Sequence, residues 1–103
     1  MKRLWYGYDF RRIMLLSRSP FIYCCELDGE VCLFHPDTAQ YLNLNSTGSA
    51  IWNLLVEPMD RKQLFAQLLD RYEVEPTDCR RDTEVFLAEA IVRGMLLEQP
   101  ASP

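Results

Sequence analysis

The residues best suited to chemistry are four cysteines and one histidine in a chain of 103 residues. Cys24, Cys25, Cys32 and His35 lie near one another in the sequence, so a zinc site is one interpretation. Structural zinc sites usually take their ligands as tightly spaced pairs, and the neighbours Cys24 and Cys25 would point to opposite faces of a strand. We therefore favour buried or half-buried thiols in a reducing compartment, Cys79 included. The sequence predicts no metal and no cofactor.

Catalysis is also not indicated. His35 stands beside a turn, where a lone histidine is usually structural, and no Cys-His or Ser-His pair has a local motif. No glycine-rich phosphate loop follows a predicted strand. The acidic residues are scattered and fit solvated helix faces and helix starts; they include Asp70, Glu73, Glu75, Asp78, Asp82 and Glu84. We expect a protein that is not an enzyme.

Composition predicts one compact domain. Hydrophobic residues make up 49% of the chain and charged residues 25%, which favours a single core over disorder. A net charge of −4 opposes a large nucleic-acid surface, because that affinity depends on Lys and Arg. No stretch approaches the roughly 20 apolar residues that span a bilayer, and Asp9, Arg11 and Arg12 interrupt any signal-type core. We expect cytoplasmic residence and no membrane association.

The first half of the chain has the pattern of an antiparallel sheet. Segments 21–27, 30–35 and 40–44 are rich in strand-forming residues. Asp28-Gly29 is a strong two-residue hairpin signal, and residues 36–39 supply a second turn. The sequence thus predicts a three-stranded meander, with Phe21, Tyr23, Cys25 and Leu27 on one face of its first strand.

The second half has helical periodicity. A helix over about 46–56 follows a cap at Asn45 or Ser46. A second helix starts near Asp60, whose carboxylate can cap it, and runs through Tyr72. Thr77 is the predicted cap of a third helix that reaches residue 92 or 93. Gly94 fits the position after the third helix. The fold predicted is α+β and winged-helix-like, with a three-stranded antiparallel sheet followed by three helices. Residues 18–99 form the domain, followed by a tail over 100–103. We expect the N-terminal extension over 1–17 to be extended and to pack on the domain or on a partner.

The third helix is more apolar than one packed face requires. One arc holds the residues suited to the core, which are Cys79, Thr83, Phe86, Leu87 and Ala90. A second arc holds Val85, Ala88 and Val92 beside Asp82 and Glu89. Either neighbouring elements sandwich the helix, or the second arc lines a groove.

The third predicted strand lies at the edge of the meander. Its residues Tyr41, Leu42, Asn43 and Leu44 include no Pro, Lys or Glu that would protect an edge from pairing. The N-terminal segment or a dimer partner could cover this edge. Alternatively, the edge is open to an extended peptide.

These segments resemble the PqqD family. The resemblance covers roughly residues 18–99, and its most specific parts are the D-G-E turn, the segment Y-x-x-L-N-x-T-G-x-x-I-W-x-L-L and the closing R-G-M-L. It implies a small recognition element that binds the leader of a ribosomally made precursor peptide. It also implies a partner enzyme, such as a radical-SAM protein in PQQ biosynthesis or a leader protease and a cyclase in lasso-peptide pathways.

The resemblance also implies which residues contact the peptide. The leader would add as a strand to the third predicted strand and pack on the third helix, at Tyr41, Leu42, Asn43, Leu44, Asp82, Val85, Phe86 and Glu89. The chain departs from the commoner pattern at Ala39-Gln40, where a glycine is frequent. Cys25 and Cys32 within the sheet and the long aromatic N-terminus are further departures.

Two other functions compete with peptide binding. A winged-helix DNA-binding or regulatory protein needs a basic recognition helix. Acidic residues interleave with the basic ones here, which are Arg61, Lys62 and Arg71 in the second helix and Arg80, Arg81 and Arg93 in the third. A homodimer through the edge strand or the N-terminal segment is the other alternative. It would not exclude peptide binding, because the same edge can serve both.

Overall fold

The computed structural model describes residues 13–28 and 30–101. Its elements confirm the predicted α+β class, with a three-stranded antiparallel sheet followed by three helices. Two further strands flank this unit. In chain order the elements are β1 (Met14–Arg18), β2 (Tyr23–Leu27), β3 (Glu30–His35), β4 (Gln40–Leu44), α1 (Ser46–Leu54), α2 (Arg61–Arg71), α3 (Pro76–Val92) and β5 (Leu96–Pro100).

The main sheet has the order β2-β3-β4, as the meander predicted. Leu33 pairs with Leu42 and both are buried, whereas Phe34 pairs with Tyr41 on the opposite face. Successive side chains therefore alternate between the core and the outer face. The first strand begins at Tyr23 rather than at Phe21, because Phe21 has a left-handed backbone with φ of 68°. The prediction that Phe21 shares one face of the strand with Tyr23 and Cys25 is therefore wrong.

The sequence did not predict the second sheet. β1 and β5 pair antiparallel, from Met14 opposite Pro100 to Arg18 opposite Leu96. Leu16 at the centre of β1 is fully buried and exchanges backbone hydrogen bonds with Met59. The last residues of the predicted extension thus belong to the fold, and β1 crosses the boundary placed at residue 18. The aromatic residues Trp5, Tyr6, Tyr8 and Phe10 lie outside the described residues.

Side chains fix the start of each helix. Asn45 caps α1 by accepting a bond from the Gly48 N–H, and Asp60 forms a capping box with Gln63 at the start of α2. The third cap is Glu75, which corrects the prediction of Thr77. Pro76 is the first residue of α3, a position that needs no N–H donor. α1 ends at Leu54, two residues before its predicted end.

The core lies between the inner face of the sheet, the three helices and the β1–β5 pair. Its fully buried side chains include Leu16, Leu33, Ile51, Leu55, Leu64, Leu87, Met95 and Leu96. Arg18 closes one side: its guanidinium lies 4.5 Å from the Trp52 ring centroid and donates to the Trp52 carbonyl. Burial lowers the pKa of Arg18, an effect that the Coulombic interaction with Cys24 partly offsets. The cation thus complements the C-terminal end of α1.

The turn between β3 and β4 contains a strained alanine. Ala39 has φ of 59°, and its N–H donates to the His35 carbonyl at 2.8 Å. This left-handed position, one residue before the strand, is one that glycine adopts without steric cost. The structure thereby explains why a glycine would suit this position better.

Replacing Ala39 with glycine should stabilise the protein. The left-handed conformation costs an L-residue about 1–2 kcal/mol, while the added chain entropy of glycine offsets about 0.5–1 kcal/mol. We expect Ala39→Gly to raise the free energy of unfolding by about 0.5–1 kcal/mol in urea titrations. The control Thr38→Gly, at a residue with negative φ, should lower it. Equal losses for both variants would contradict the strain assigned to Ala39.

Candidate functional site

The outer edge of β4 offers hydrogen-bonding groups at alternate residues. Leu42 and Leu44 are only 7% and 4% exposed, because their side chains enter the core. The Tyr41 carbonyl accepts a bond of 3.0 Å from the Arg93 side chain, so it faces away from β3. Since peptide groups alternate along an antiparallel strand, the outward-facing groups are those of Tyr41 and Asn43. These two residues also have exposed side chains.

Within 13–28 and 30–101, no strand pairs with this outer edge of β4. The described part of the N-terminal segment, β1, pairs with β5 instead. Covering of the edge by residues 14–18 is therefore excluded. Covering by a dimer partner stays a prediction.

The second arc of α3 faces outward. Val85 is 65% exposed and Val92 is 86% exposed, and Ala88 is exposed between them. The opposite side of the helix is fully buried at Thr83, Leu87 and Ala90. The division of α3 into two arcs is confirmed, and none of the elements within 13–28 and 30–101 covers the second arc.

α3 lies beside β4 and runs in the opposite direction. Near the C-terminal end of α3, Arg93 contacts Tyr41, and its Nε also donates to Glu89 at 3.2 Å. About two turns earlier, the ring of Phe86 lies against Gly48 at the start of α1, just after β4 ends. We call the surface formed by Tyr41, Asn43, Asp82, Val85, Phe86 and Glu89 the β4–α3 groove. The predicted residues Leu42 and Leu44 lie behind it, in the core.

A cleft of about 300 Å³ adjoins the groove at the N-terminal end of α3. Asp82 belongs to both, and the cleft continues between the three helices. Its walls include the apolar side chains of Ala50, Leu68 and Val74. The groove therefore leads into a mainly apolar recess that a bulky side chain could enter.

Sequence reasoning missed two contacts that shape the groove. Gly48 is required by proximity: a Cβ there would lie 2.9 Å from Cε1 of Phe86. Arg93 links the C-terminal end of α3 to the edge strand. Gly48 stands within the T-G-x-x-I-W motif, but its neighbour in space is 38 positions away. Arg93 precedes Gly94, whose φ of 77° confirms its predicted position after the helix.

The thiols and the histidine do not converge. Cys25 and Cys32 face each other on the outer side of the sheet, while Cys24 is paired with Leu33. Cys32 and Cys79 are half-buried as predicted, but Cys24 and Cys25 are exposed, so the prediction of burial is wrong for these two. Nδ1 of His35 accepts the Asp37 N–H at 3.3 Å, which fits a structural role in the turn. Among the described residues, no group of three or more His, Cys, Asp and Glu side chains could hold a metal ion.

The charges on α3 do not suit DNA binding. Its exposed side carries Asp78, Asp82 and Glu89. Arg81 lies within 3.5 Å of Asp78 and Asp82 carboxylates, and Arg93 pairs with Glu89. Phosphate would meet acidic groups on this helix, so the DNA-binding alternative is not supported. None of the described helices is both long and apolar enough to cross a membrane.

Comparisons with known proteins agree with this geometry. The family model of coenzyme PQQ synthesis protein D (PqqD) matches residues 30–96. The structure of TbiB1 in complex with the TbiA(beta) leader peptide is 29% identical with a TM-score of 0.66, covering 78% of this chain and 93% of TbiB1. A lasso peptide synthetase B1 complexed with the leader peptide is 27% identical with a TM-score of 0.66, covering 80% of this chain and 96% of its own. No curated protein sequence matches significantly.

The contact between Gly48 and Phe86 can be tested by a double-mutant cycle. Helix propensity favours alanine over glycine by up to about 1 kcal/mol, yet Gly48→Ala should destabilise this protein because the Phe86 ring must move. With Phe86→Ala already present, Gly48→Ala should be neutral or stabilising. We expect a coupling free energy of about 1–2 kcal/mol from urea unfolding. Additive effects would show that the two residues do not determine each other's position.

Proposed function

Because the chain belongs to the PqqD family, with residues 30–96 matching its model, we propose that it binds the leader of a ribosomally synthesised precursor peptide. The leader adds as a strand to β4 and packs on α3, and the protein does no chemistry itself. The observation that carries this proposal is the juxtaposition in the β4–α3 groove of a strand edge without a described partner strand and an exposed apolar helix face. The two similar structures, both complexes with leader peptides, support it.

Backbone pairing gives the groove affinity without much sequence preference. An added strand can bond to the outward N–H and C=O groups of Tyr41 and Asn43, each bond contributing about 0.5–1.5 kcal/mol net. The Arg93 side chain already donates to the Tyr41 carbonyl. Arg93 therefore stands at one end of the added strand, and it either shares that carbonyl or gives it up.

Apolar contacts give the groove its preference for particular leaders. Val85 is exposed on α3, and its chain neighbour Phe86 is half-buried; we infer that both face the added strand. Alternate side chains of an added strand point toward α3, and burying two or three apolar ones contributes roughly 1.5–3 kcal/mol each. Ordering the peptide offsets part of this sum. Micromolar to submicromolar affinity is the result, which permits release after modification.

The bound leader brings the core segment of the precursor to a modifying enzyme. We propose a leader protease, a cyclase or a radical-SAM enzyme as this partner, operating in lasso-peptide or PQQ biosynthesis. Tethering raises the effective concentration of the core segment at the enzyme. A homodimer through β4 would use the same backbone groups, so peptide and second protomer would compete for them.

The proposed apolar contact between α3 and the leader can be tested by introducing one charged side chain into α3. The probe is the fluorescein-labelled leader of the precursor encoded beside this gene, titrated against the protein by fluorescence anisotropy. Val85→Glu should raise Kd roughly ten- to a hundredfold, because a buried apolar contact is worth about 1.5–3 kcal/mol. The matched control is Val56→Glu. Val56 is similarly exposed and lies just after the C-terminal end of α1, so this substitution should leave Kd within about twofold. Equal effects of both substitutions would contradict binding at α3.

Strand addition also predicts a two-residue pattern of amide protection. Hydrogen exchange followed by NMR should be fast at the Tyr41 and Asn43 amides in the free protein and slow when the leader is bound. Leu42 and Leu44, whose amides face β3, should be slow in both states. The outward amides of the other edge strand, at Cys24 and Glu26, provide the internal control and should not change. If leader binding slowed the exchange of the β2 amides instead of the β4 amides, the peptide would lie at the other edge of the sheet and the proposal would be contradicted.

A further inference from the structure

Two cysteines face each other across neighbouring strands of the main sheet. Cys25 of β2 and Cys32 of β3 are direct partners in the antiparallel register. Both are free thiols, with Cys25 exposed and Cys32 half-buried. They share the outer face, away from the buried pair Leu33 and Leu42. Neither thiol has a role in the peptide-binding groove.

The hydrogen-bond pattern sets the distance between these residues. Leu27 and Glu30 flank the two-residue turn and pair directly, so they form a hydrogen-bonded pair of the hairpin. Two residues farther along each strand, Cys25 and Cys32 form the next pair of this type, in which Cα atoms are about 5.5 Å apart. Disulfides usually have Cα separations of about 4.4–6.8 Å. The Cα spacing thus lies within the disulfide range, but the Cβ atoms of such a pair are about 5.5 Å apart, above the roughly 3.5–4.5 Å of a disulfide. A disulfide therefore closes only with a small local movement of the two strands, which leaves it strained.

The other two cysteines are placed differently. Cys24 is paired with Leu33 and points to the opposite face from Cys25. Cys79 lies in α3, with its sulfur 4.0 Å from the hydroxyl oxygen of Thr83. The register thus selects one pairing of the four thiols.

We propose that Cys25 and Cys32 are a site of reversible oxidation by a low-molecular-weight disulfide such as glutathione disulfide. The exposed Cys25 thiolate attacks the glutathione disulfide, forming a mixed disulfide and releasing one glutathione thiolate. The Cys32 thiolate then attacks the Cys25 sulfur, the protein disulfide forms, and the second glutathione leaves. Two protein thiols are oxidised while one glutathione disulfide is reduced to two thiols.

The disulfide between Cys25 and Cys32 should be easily reduced. It would lie on an exposed strand and in a hydrogen-bonded pair, where both backbones are held at a fixed spacing by their own hydrogen bonds. Strained or exposed disulfides are more easily reduced than buried structural ones. Cys32 is also the partner of Asn43 in β4. The oxidised pair would therefore stand in the same row of the sheet as one residue of the β4–α3 groove, although the proposal does not depend on leader binding.

The test uses the full chain, fully reduced and then incubated with glutathione mixtures of increasing oxidised fraction. Free thiols are trapped by alkylation, and intact mass and peptide mapping report the products. We expect the loss of two hydrogen atoms, a bond mapped to Cys25 and Cys32, and recovery of both thiols with dithiothreitol. Cys24→Ser and Cys79→Ser should behave like the unchanged protein. In Cys32→Ser the reaction should stop at glutathione attached to Cys25.

Dependence on the fold is checked in urea, where the selectivity for this pair should disappear. A glutathione adduct on Cys25 that persists in the unchanged protein would overturn the proposal, because Cys32 would then be out of reach. A bond that maps to Cys24 or Cys79 would also overturn it. So would equal selectivity in folded and unfolded protein, since the register of β2 and β3 would then have no part in the reaction.

Discussion

The candidate site depends on the alternation of peptide groups along β4. Each residue of an antiparallel strand directs both backbone groups to one side, and its neighbours direct theirs to the other. Burial of Leu42 and Leu44 fixes the strand against the core, so Tyr41 and Asn43 hold the groups that β3 does not use. Unpaired backbone groups at an edge attract another extended chain. The packing of the core thus determines which residues are available to bind a peptide.

So short an edge cannot bind tightly by backbone pairing alone. Two residues offer at most four hydrogen bonds, each of about 0.5–1.5 kcal/mol net, and Arg93 already occupies one acceptor. Ordering a free peptide costs on the order of 1–2 kcal/mol per residue of backbone. In the proposed binding mode, apolar contacts must therefore supply the remaining affinity, and Val85 is an exposed apolar residue of α3. The proposal accordingly needs the apolar helix face and the strand edge together.

Features of the fold that depend on neighbouring residues were predictable from the sequence. The cap at Asp60, the hairpin turn after Leu27 and the two arcs of α3 follow from short-range spacing, and all three are present. The pairing of β1 with β5 joins segments about eighty residues apart, and no local pattern in either segment specifies its partner. The cap predicted at Thr77 is wrong because α3 already begins at Pro76, and a helix tolerates proline at its first position.

The candidate site was predictable to a similar extent. Helical and strand periodicities identified α3 and β4, but the resemblance to the PqqD family implied peptide contacts for the whole segment from Tyr41 to Leu44. The structure separates the exposed residues of this segment from the buried ones. Arg93 could not be identified in advance, because its contact with Tyr41 depends on how α3 is placed beside β4.

That placement depends on close packing between two helices. Glycine within a helix costs up to about 1 kcal/mol relative to alanine, so Gly48 at the start of α1 needs a compensating reason. Its reason is the Phe86 ring, which occupies the space that a Cβ would fill. Because α1 follows β4 after a single residue, a ring seated on Gly48 also fixes α3 relative to the strand. Gly48 lies outside the β4–α3 groove, but because it has no Cβ the Phe86 ring can pack against it. This contact therefore sets the width of the groove.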